Sequence, residues 1–251
     1  MFFLKAIIVG AGRGSRLNIL TDDQPKCYTL IRNQRILDWS LGAFSEAGLL
    51  DMVFVGGYRI EQIKRDYPQL DFRHNVDWKN NNILASLFFA EKDMKNGFIS
   101  CYSDILFRSE VVQRLIGHKA DIVICIDTDW RDRYVHRSQH PEDDAEKVIC
   151  NADRIVRIER SIEPEIASGE FTGVAKFSVS GAQQLRESYR KVSEFYSGKC
   201  WRDGVAFEKA YLIHLLQYMI EDGIDIRAVS ISGGYLEIDT EEDLILANES
   251  W

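Results

Sequence analysis

The residues between Leu4 and Lys26 combine small size, backbone freedom and positive charge in a way that suits the holding of phosphate. The apolar run Ala6-Ile7-Ile8-Val9 fits a strand buried on both faces, and it breaks at once into Gly10, Gly12 and Gly14, with Ala11 among them. Glycines let the chain turn tightly and bring backbone N–H groups close to a polyphosphate, while Arg13, Arg16 and Lys26 supply countercharge. A strand ending in a glycine turn is common in α/β proteins, so Gly10-x-Gly12 alone decides nothing. The dinucleotide fingerprint needs a third glycine where Ser15 stands and a helix where Asn18 to Pro25 is polar and turn-rich. It also needs an acid after the second strand, where Gly56-Gly57 follows Met52 to Val55. No Walker A sequence occurs.

Other residues with chemical potential stand at the ends of apolar runs. Asp104 closes the run Gly97 to Ser103, and ligands of open α/β sheets bind outside the carboxyl ends of strands, so this carboxylate is expected on the edge that carries the glycine loop. An acid closing a turn is the plainer alternative. Asn80-Asn81-Asn82, before Ile83 to Leu87, reads as a cap and helix start, although amides also read base edges. Trp201 and Asp203, ahead of the apolar stripe in Val205 to Gly223, could hold a substrate's tail, or Asp203 could be an N-cap. Lys176 could snorkel from a strand edge. Asp239 precedes a capping box of Thr240 and Asp243.

The pattern G-x-G-x-R followed about ten residues later by Pro-Lys, here Gly12 to Arg16 and Pro25-Lys26, resembles the signature of nucleotidyltransferases that join a nucleoside triphosphate to a phosphorylated acceptor. Cys27-Tyr28 departs from the small or apolar pair often found after Pro-Lys. The stretch from Asn82 to Leu87 is similar to the cytidylyltransferase branch. Gly169-Glu170-Phe171-Thr172-Gly173-Val174-Ala175-Lys176 is similar to a segment of the phosphocholine and phosphonate (2-aminoethylphosphonate-type) cytidylyltransferases, and Glu237 to Leu244 to the setting of the family's second metal aspartate.

This resemblance implies a three-layer, Rossmann-like α/β fold whose mixed, mainly parallel sheet is flanked by helices. It implies that Lys26 and Arg16 act catalytically on phosphate charge, and that Gly10, Ala11, Gly12, Arg13, Gly14, Asn82, Ser86 and Ser103 contact the nucleotide. Asp104 and Asp239 are implied as ligands of Mg2+, and Glu170 and Lys176 as acceptor contacts, to which the aromatic and carboxylate of Trp201 and Asp203 are added. The implied reaction transfers CMP from CTP to a small phosphonate or phosphate ester with release of pyrophosphate. A sugar-1-phosphate nucleotidyltransferase and a non-catalytic nucleotide sensor are the alternatives; the sensor would have no need of two distant aspartates.

The elements that must position these residues alternate between strand and helix, which implies a parallel sheet. Helices are expected at Ile36 to Leu49, Tyr58 to Tyr67, Val111 to Ile116, Gly181 to Tyr196 and Val205 to Gly223, with a hairpin across Asn151-Ala152-Asp153. With 251 residues and 45% hydrophobic content, one domain over 1–251 is expected, interrupted by a polar, lid-like excursion at 128–147 in which His136 and His140 lack tight metal spacing. A net charge of −8 argues against a nucleic-acid partner. The five cysteines show no C-x-x-C spacing and read as buried thiols of a cytoplasmic protein. The apolar start MFFLKAIIVG is too short to span a membrane and lacks a basic leader. The oligomeric state is left open, a homodimer included.

Overall fold

The structure is a computed structural model that describes residues 4–14, 16–17, 21–135, 137–139 and 141–251. Its strands are β1 (Lys5–Gly10), the short pair β2 (Leu30–Ile31) and β3 (Gln34–Arg35), β4 (Met52–Gly56), β5 (Asp71–His74), β6 (Phe98–Tyr102), β7 (Ile105–Phe107), β8 (Ile122–Asp127), β9 (Lys147–Asn151), β10 (Arg154–Ile158), β11 (Gly169–Phe177), β12 (Ile226–Ile231) and β13 (Tyr235–Glu237). The helices are α1 (Ile36–Glu46), α2 (Ile60–Asp66), α3 (Ile83–Phe88), α4 (Ser109–Gly117), α5 (Trp130–Tyr134), α6 (Val179–Tyr196), α7 (Leu212–Glu221) and α8 (Glu241–Ser250). None is long and apolar enough to cross a membrane.

Nine strands form one sheet in the order β5-β4-β1-β6-β11-β8-β12-β10-β9. Strands β5, β4, β1 and β6 are mutually parallel, as are β8 and β12, whereas β11 runs antiparallel to both β6 and β8. Strand β11 therefore reverses the direction at the centre of an otherwise mainly one-way sheet. Because successive side chains point to opposite faces, β1 serves two cores. Ile7 and Val9 pack with α3, α6 and α7, while Ala6 and Ile8 pack with α1, α2 and α4. Helices on both faces make three layers and explain why β1, β4, β6 and β8 are apolar almost throughout rather than alternating, unlike β5 and β10 at the margins.

Helix boundaries follow local chemistry. Helix α6 begins two residues earlier than expected, because Ser178 Oγ accepts from Gly181 N at 3.1 Å and caps it. The expected helix from Val205 to Gly223 is split. Its first part bridges Ala206 back to Cys200 and makes a 3-10 turn at Phe207–Lys209 that tucks Phe207 into the core. Helix α7 starts only at Leu212 and is capped by Tyr211 and His214, so Asp203 is not its N-cap. Asp203 lies instead in a tight turn with φ of 53°.

The excursion at 128–147 is more ordered than a solvated loop. Trp130, Tyr134 and Ala145 form a small core of their own, because the charged residues between them turn inward to partners: Arg133 pairs with Asp127 and Glu170, and Tyr134 Oη donates to Glu170 at 2.8 Å. His136 and His140 lie outside the described residues. Among the cysteines, Cys27, Cys101 and Cys125 are buried as expected, but Cys150 is half-buried and Cys200 is exposed.

Candidate active site

The glycine loop follows β1 directly, at the carboxyl edge of the sheet. Val9 is in register with Tyr102 of β6, so Gly10 lies against Ser103, and a side chain at position 10 would put its Cβ 2.7 Å from that of Ser103. Gly14 has φ of +72°, which a side chain rarely adopts, and its α-carbon abuts Lys26: a Cβ there would lie 2.5 Å from Lys26 Cδ. The loop is thus moulded around the lysine stem. Buried Thr21 donates to the Gly14 carbonyl at 3.1 Å, and Tyr58 N donates to the Ala11 carbonyl at 2.9 Å.

Two distant acids converge on this lysine. Lys26 Nζ donates to Asp104 Oδ2 at 2.6 Å and also pairs with Asp239. Strand pairing explains the meeting. β13 lies antiparallel to β7 with Glu237 opposite Ile105, and Ile238 N donates to the Asp104 carbonyl at 3.0 Å, which brings Asp239 beside Asp104. The capping box of α8 then fixes Asp239, since Asp243 Oδ2 accepts from Asp239 N at 2.9 Å and Thr240 N at 2.8 Å. Arg16 completes the group, with Nη2 at 2.9 Å from Asp239 Oδ2 and Nη1 at 3.1 Å from Asp144 Oδ2.

Charge sets the ionisation of these groups. Burial alone would lower the Lys26 pKa, but Asp104, Asp239 and Glu237 outweigh it and hold the ammonium above its ordinary value. Arg16 is raised likewise, burial opposing and Asp239 and Asp144 prevailing. Burial, then the nearby Asp239 and Asp104, pushes the Glu237 carboxyl well up. Glu146 is pushed up to about 7, chiefly by burial, which Arg160 opposes and Glu170 assists.

These residues share one cleft of about 340 Å³. Asn82 and Ser86 line it beside Trp78 and Asn81, and Asn75 ties this side together by donating to Asn81 Oδ1 at 2.7 Å and Ser86 Oγ at 2.9 Å. Gly10, Ala11, Gly12, Gly14, Arg16, Lys26, Ser103, Asp104, Glu170 and Asp239 line it as well. Asn82 occupies the N-cap position of α3, yet its side chain donates to the Lys209 carbonyl at 3.1 Å instead of capping.

Four of the sequence candidates do not reach the cleft. Arg13 pairs with Asp22. Lys176 Nζ donates to the His118 carbonyl at 2.5 Å, and topology explains why. Because β11 is antiparallel, Glu170 pairs with Asp127 at the cleft edge whereas Lys176 pairs with Val123 and Ile99 toward the other edge. Trp201 packs against Phe207 and His214, and Asp203 meets His214 Nε2 at 3.0 Å. The rest of the lining comes from residues that sequence reasoning missed, among them Tyr102, Asp144, Glu146, Arg160, Tyr211 and Glu237. Glu237 carried a signal, its place in the segment around Asp239; Arg160, just past β10, carried none.

Among the described residues, the cleft is lined by six carboxyl groups, Asp104, Asp144, Glu146, Glu170, Glu237 and Asp239, against three cations, Arg16, Lys26 and Arg160. Such an acidic cleft does not by itself attract polyphosphate, but its hard oxygen donors suit a divalent cation of the magnesium type.

No protein-family model matches the chain. The chain is 30% identical, over 251 aligned residues covering 96% of it and 98% of the relative, to a protein of Campylobacter jejuni named CTP:phosphoglutamine cytidylyltransferase. It is 27% identical over 110 residues, 42% of this chain and 47% of the relative, to the choline-phosphate cytidylyltransferase of Streptococcus pneumoniae. In fold it is similar to the inositol-1-phosphate CTP transferase of T. maritima, with a TM-score of 0.74 at 20% identity over 100% of this chain and 98% of that one. With a near full-length relative of this kind and a glycine loop built around Lys26, the chain belongs to the nucleotidyltransferase family, in its cytidylyltransferase branch.

Proposed function

We propose that this enzyme transfers CMP from CTP to a small acceptor carrying a phosphate or phosphonate group and no sugar ring. The observation that carries the proposal is the convergence of Asp104 and Asp239 on Lys26, at the mouth of the glycine loop. An acceptor oxygen attacks the α-phosphorus of CTP, a new P–O bond forms, and the bond to the β-phosphate bridging oxygen breaks, its electron pair leaving with pyrophosphate. Such in-line displacement asks the protein for alignment and charge neutralisation rather than a covalent intermediate. Lys26 would face the α-phosphate and stabilise charge that develops there, and Arg16 would neutralise the departing pyrophosphate. Asn81, Asn82 and Ser86 offer the amide and hydroxyl groups to read the base edge.

Magnesium fits the donor set, and Asp104 and Asp239 are the residues that would hold it; bound there, it would neutralise phosphate charge. With the two carboxylates so engaged, Lys26, which pairs with both of them here, would be released to face the phosphates. The five unpaired cysteines suit a reducing cytoplasm.

The test is pyrophosphate release with CTP, UTP, ATP and dTTP against phosphocholine, 2-aminoethylphosphonate, phosphoglutamine and glucose-1-phosphate, with and without EDTA. CTP with a small acceptor, in magnesium, is the expected active combination. Preference for glucose-1-phosphate would make the chain a sugar-phosphate enzyme, and binding of CTP without turnover on any acceptor would make it a sensor.

A further inference from the structure

The cleft contains a cation with no role in the reading above. Of the three cations that line the cleft among the described residues, Arg16 and Lys26 belong to the glycine loop and the Pro-Lys step, whereas Arg160 comes from just past β10 and faces the other oxygen of Asp144, the carboxylate that Arg16 holds. Its guanidinium lies over the ring of Tyr211, 4.1 Å from the centroid, which fixes its plane. Its ion pairs are loose: Nη2 is 3.7 Å from Glu146 Oε1 and Nη1 is 3.9 Å from Asp144 Oδ1, both too long for hydrogen bonds. Its buried Nε has no hydrogen-bond partner among the described residues. A half-buried guanidinium whose donors are this poorly used is a ready seat for a planar, two-oxygen anion, since a bidentate fork matches a carboxylate. The acids beside it, Asp144 and Glu146, would repel a ligand that carried only negative charge, but would welcome an ammonium next to that carboxylate.

We propose that the acceptor carries a zwitterionic, amino-acid-like head, its carboxylate bound by Arg160 and its ammonium by Asp144 and Glu146. The inference rests on the cytidylyltransferase reading and narrows its acceptor. The phosphate of the acceptor faces Lys26, so Arg160 determines which acceptor is used rather than how phosphate is held. The arrangement replaces Trp201 and Asp203 as the reader of the tail, since neither lines the cleft.

The test compares acceptors under one pyrophosphate-release assay with CTP: O-phospho-L-serine and phosphoglutamine, which have both charges; phosphoethanolamine and phosphocholine, which have only the cation; and phosphoglycolate, which has only the carboxylate. At least one zwitterionic acceptor is expected to exceed every single-charge acceptor in kcat/KM by tenfold or more. In Arg160→Met this advantage should collapse through the acceptor KM, with the KM for CTP unchanged. Arg160→Lys, which keeps the charge and loses the fork, should recover part of it, and guards against a folding defect in the first variant. Equal use of phosphoethanolamine and O-phospho-L-serine, with phosphoglutamine no better, overturns the inference while leaving cytidylyl transfer intact. An equal loss on all acceptors in both variants also overturns it, because Arg160 would then hold the phosphate. Absence of pyrophosphate release with any acceptor defeats the underlying reading itself.

Discussion

Lys26 Nζ lies 2.6 Å from Asp104 Oδ2 although 78 positions separate the two residues, and the same ammonium reaches Asp239, 213 positions away. Three residues from three parts of the chain form one charge-compensated group. The lysine keeps the aspartates together before any ligand arrives, and the aspartates keep the buried lysine charged.

Asp104→Asn and Asp239→Asn should each lower turnover at least ~10²-fold, because an amide preserves shape and removes the charge of an oxygen proposed to hold the metal. The double variant should be little worse than either single one, since the two act as a unit. Steady-state kinetics across a magnesium titration check this, and near-normal turnover in either single variant would remove that aspartate from the site.

Lys26→Ala should slow kcat by about 10²-fold or more while changing CTP affinity much less, if the lysine acts on charge that develops during transfer. Arg16→Ala should weaken CTP binding as well. Single-turnover rates beside equilibrium CTP binding separate the two effects; a loss confined to CTP binding would reduce Lys26 to a ground-state contact.

Gly14→Ala should damage fold and chemistry together. Its φ of +72° costs a side chain on the order of 1–2 kcal/mol, and the new Cβ would displace Lys26. A fall of ~2–8 °C in Tm is expected with reduced kcat. Gly12 has open space around it, so Gly12→Ala should keep its Tm and lose CTP affinity, because the added methyl occupies the cleft the nucleotide needs. Melting curves and CTP titrations of both variants distinguish the two effects.

Glu146 should make stability depend on pH. Its carboxyl titrates near pH 7 in the folded protein against an ordinary 4.5, so between those values the folded chain binds a proton that the unfolded chain does not. Stability from this group is therefore complete below about pH 4.5 and is lost as pH rises through 7, by an amount on the order of 3 kcal/mol. Glu146→Gln, which needs no proton, should melt higher than the parent at pH 8 and close to it at pH 5. Parallel melting curves at both values would expose the opposite order.

Most of the cleft around the glycine loop was legible in the sequence, because the glycine loop, Pro25-Lys26 and the residues after β6 and β13 are short motifs whose geometry is local. The rest of the lining was not. Lys176 sits six residues beyond Glu170 in β11, about 20 Å along the strand, so only one of them can reach the cleft, and the antiparallel insertion of that strand, a non-local fact, makes it Glu170. Arg160 reaches the cleft through the hairpin of β9 and β10, and its surroundings contain no motif. Asp203 read as an N-cap because the sequence does not announce the bridge between Cys200 and Ala206 that delays helix α7.

The seam between β10 and β12 is held by a single register pair, Arg154 with Arg227, whereas β1 meets each of β4 and β6 over five. Mutational tolerance is therefore unevenly distributed. The β9–β10 hairpin that leads to Arg160 is tied to the rest of the sheet by that pair and by two register pairs of β9 with β11, while the strands carrying the glycine loop and Asp104 are braced on both sides along most of their length. Under selection for a new acceptor, a cleft working as proposed above can change at this more lightly fastened margin while the glycine loop stays fixed, and the different acceptors in the names of its relatives are the pattern such a division of labour would leave.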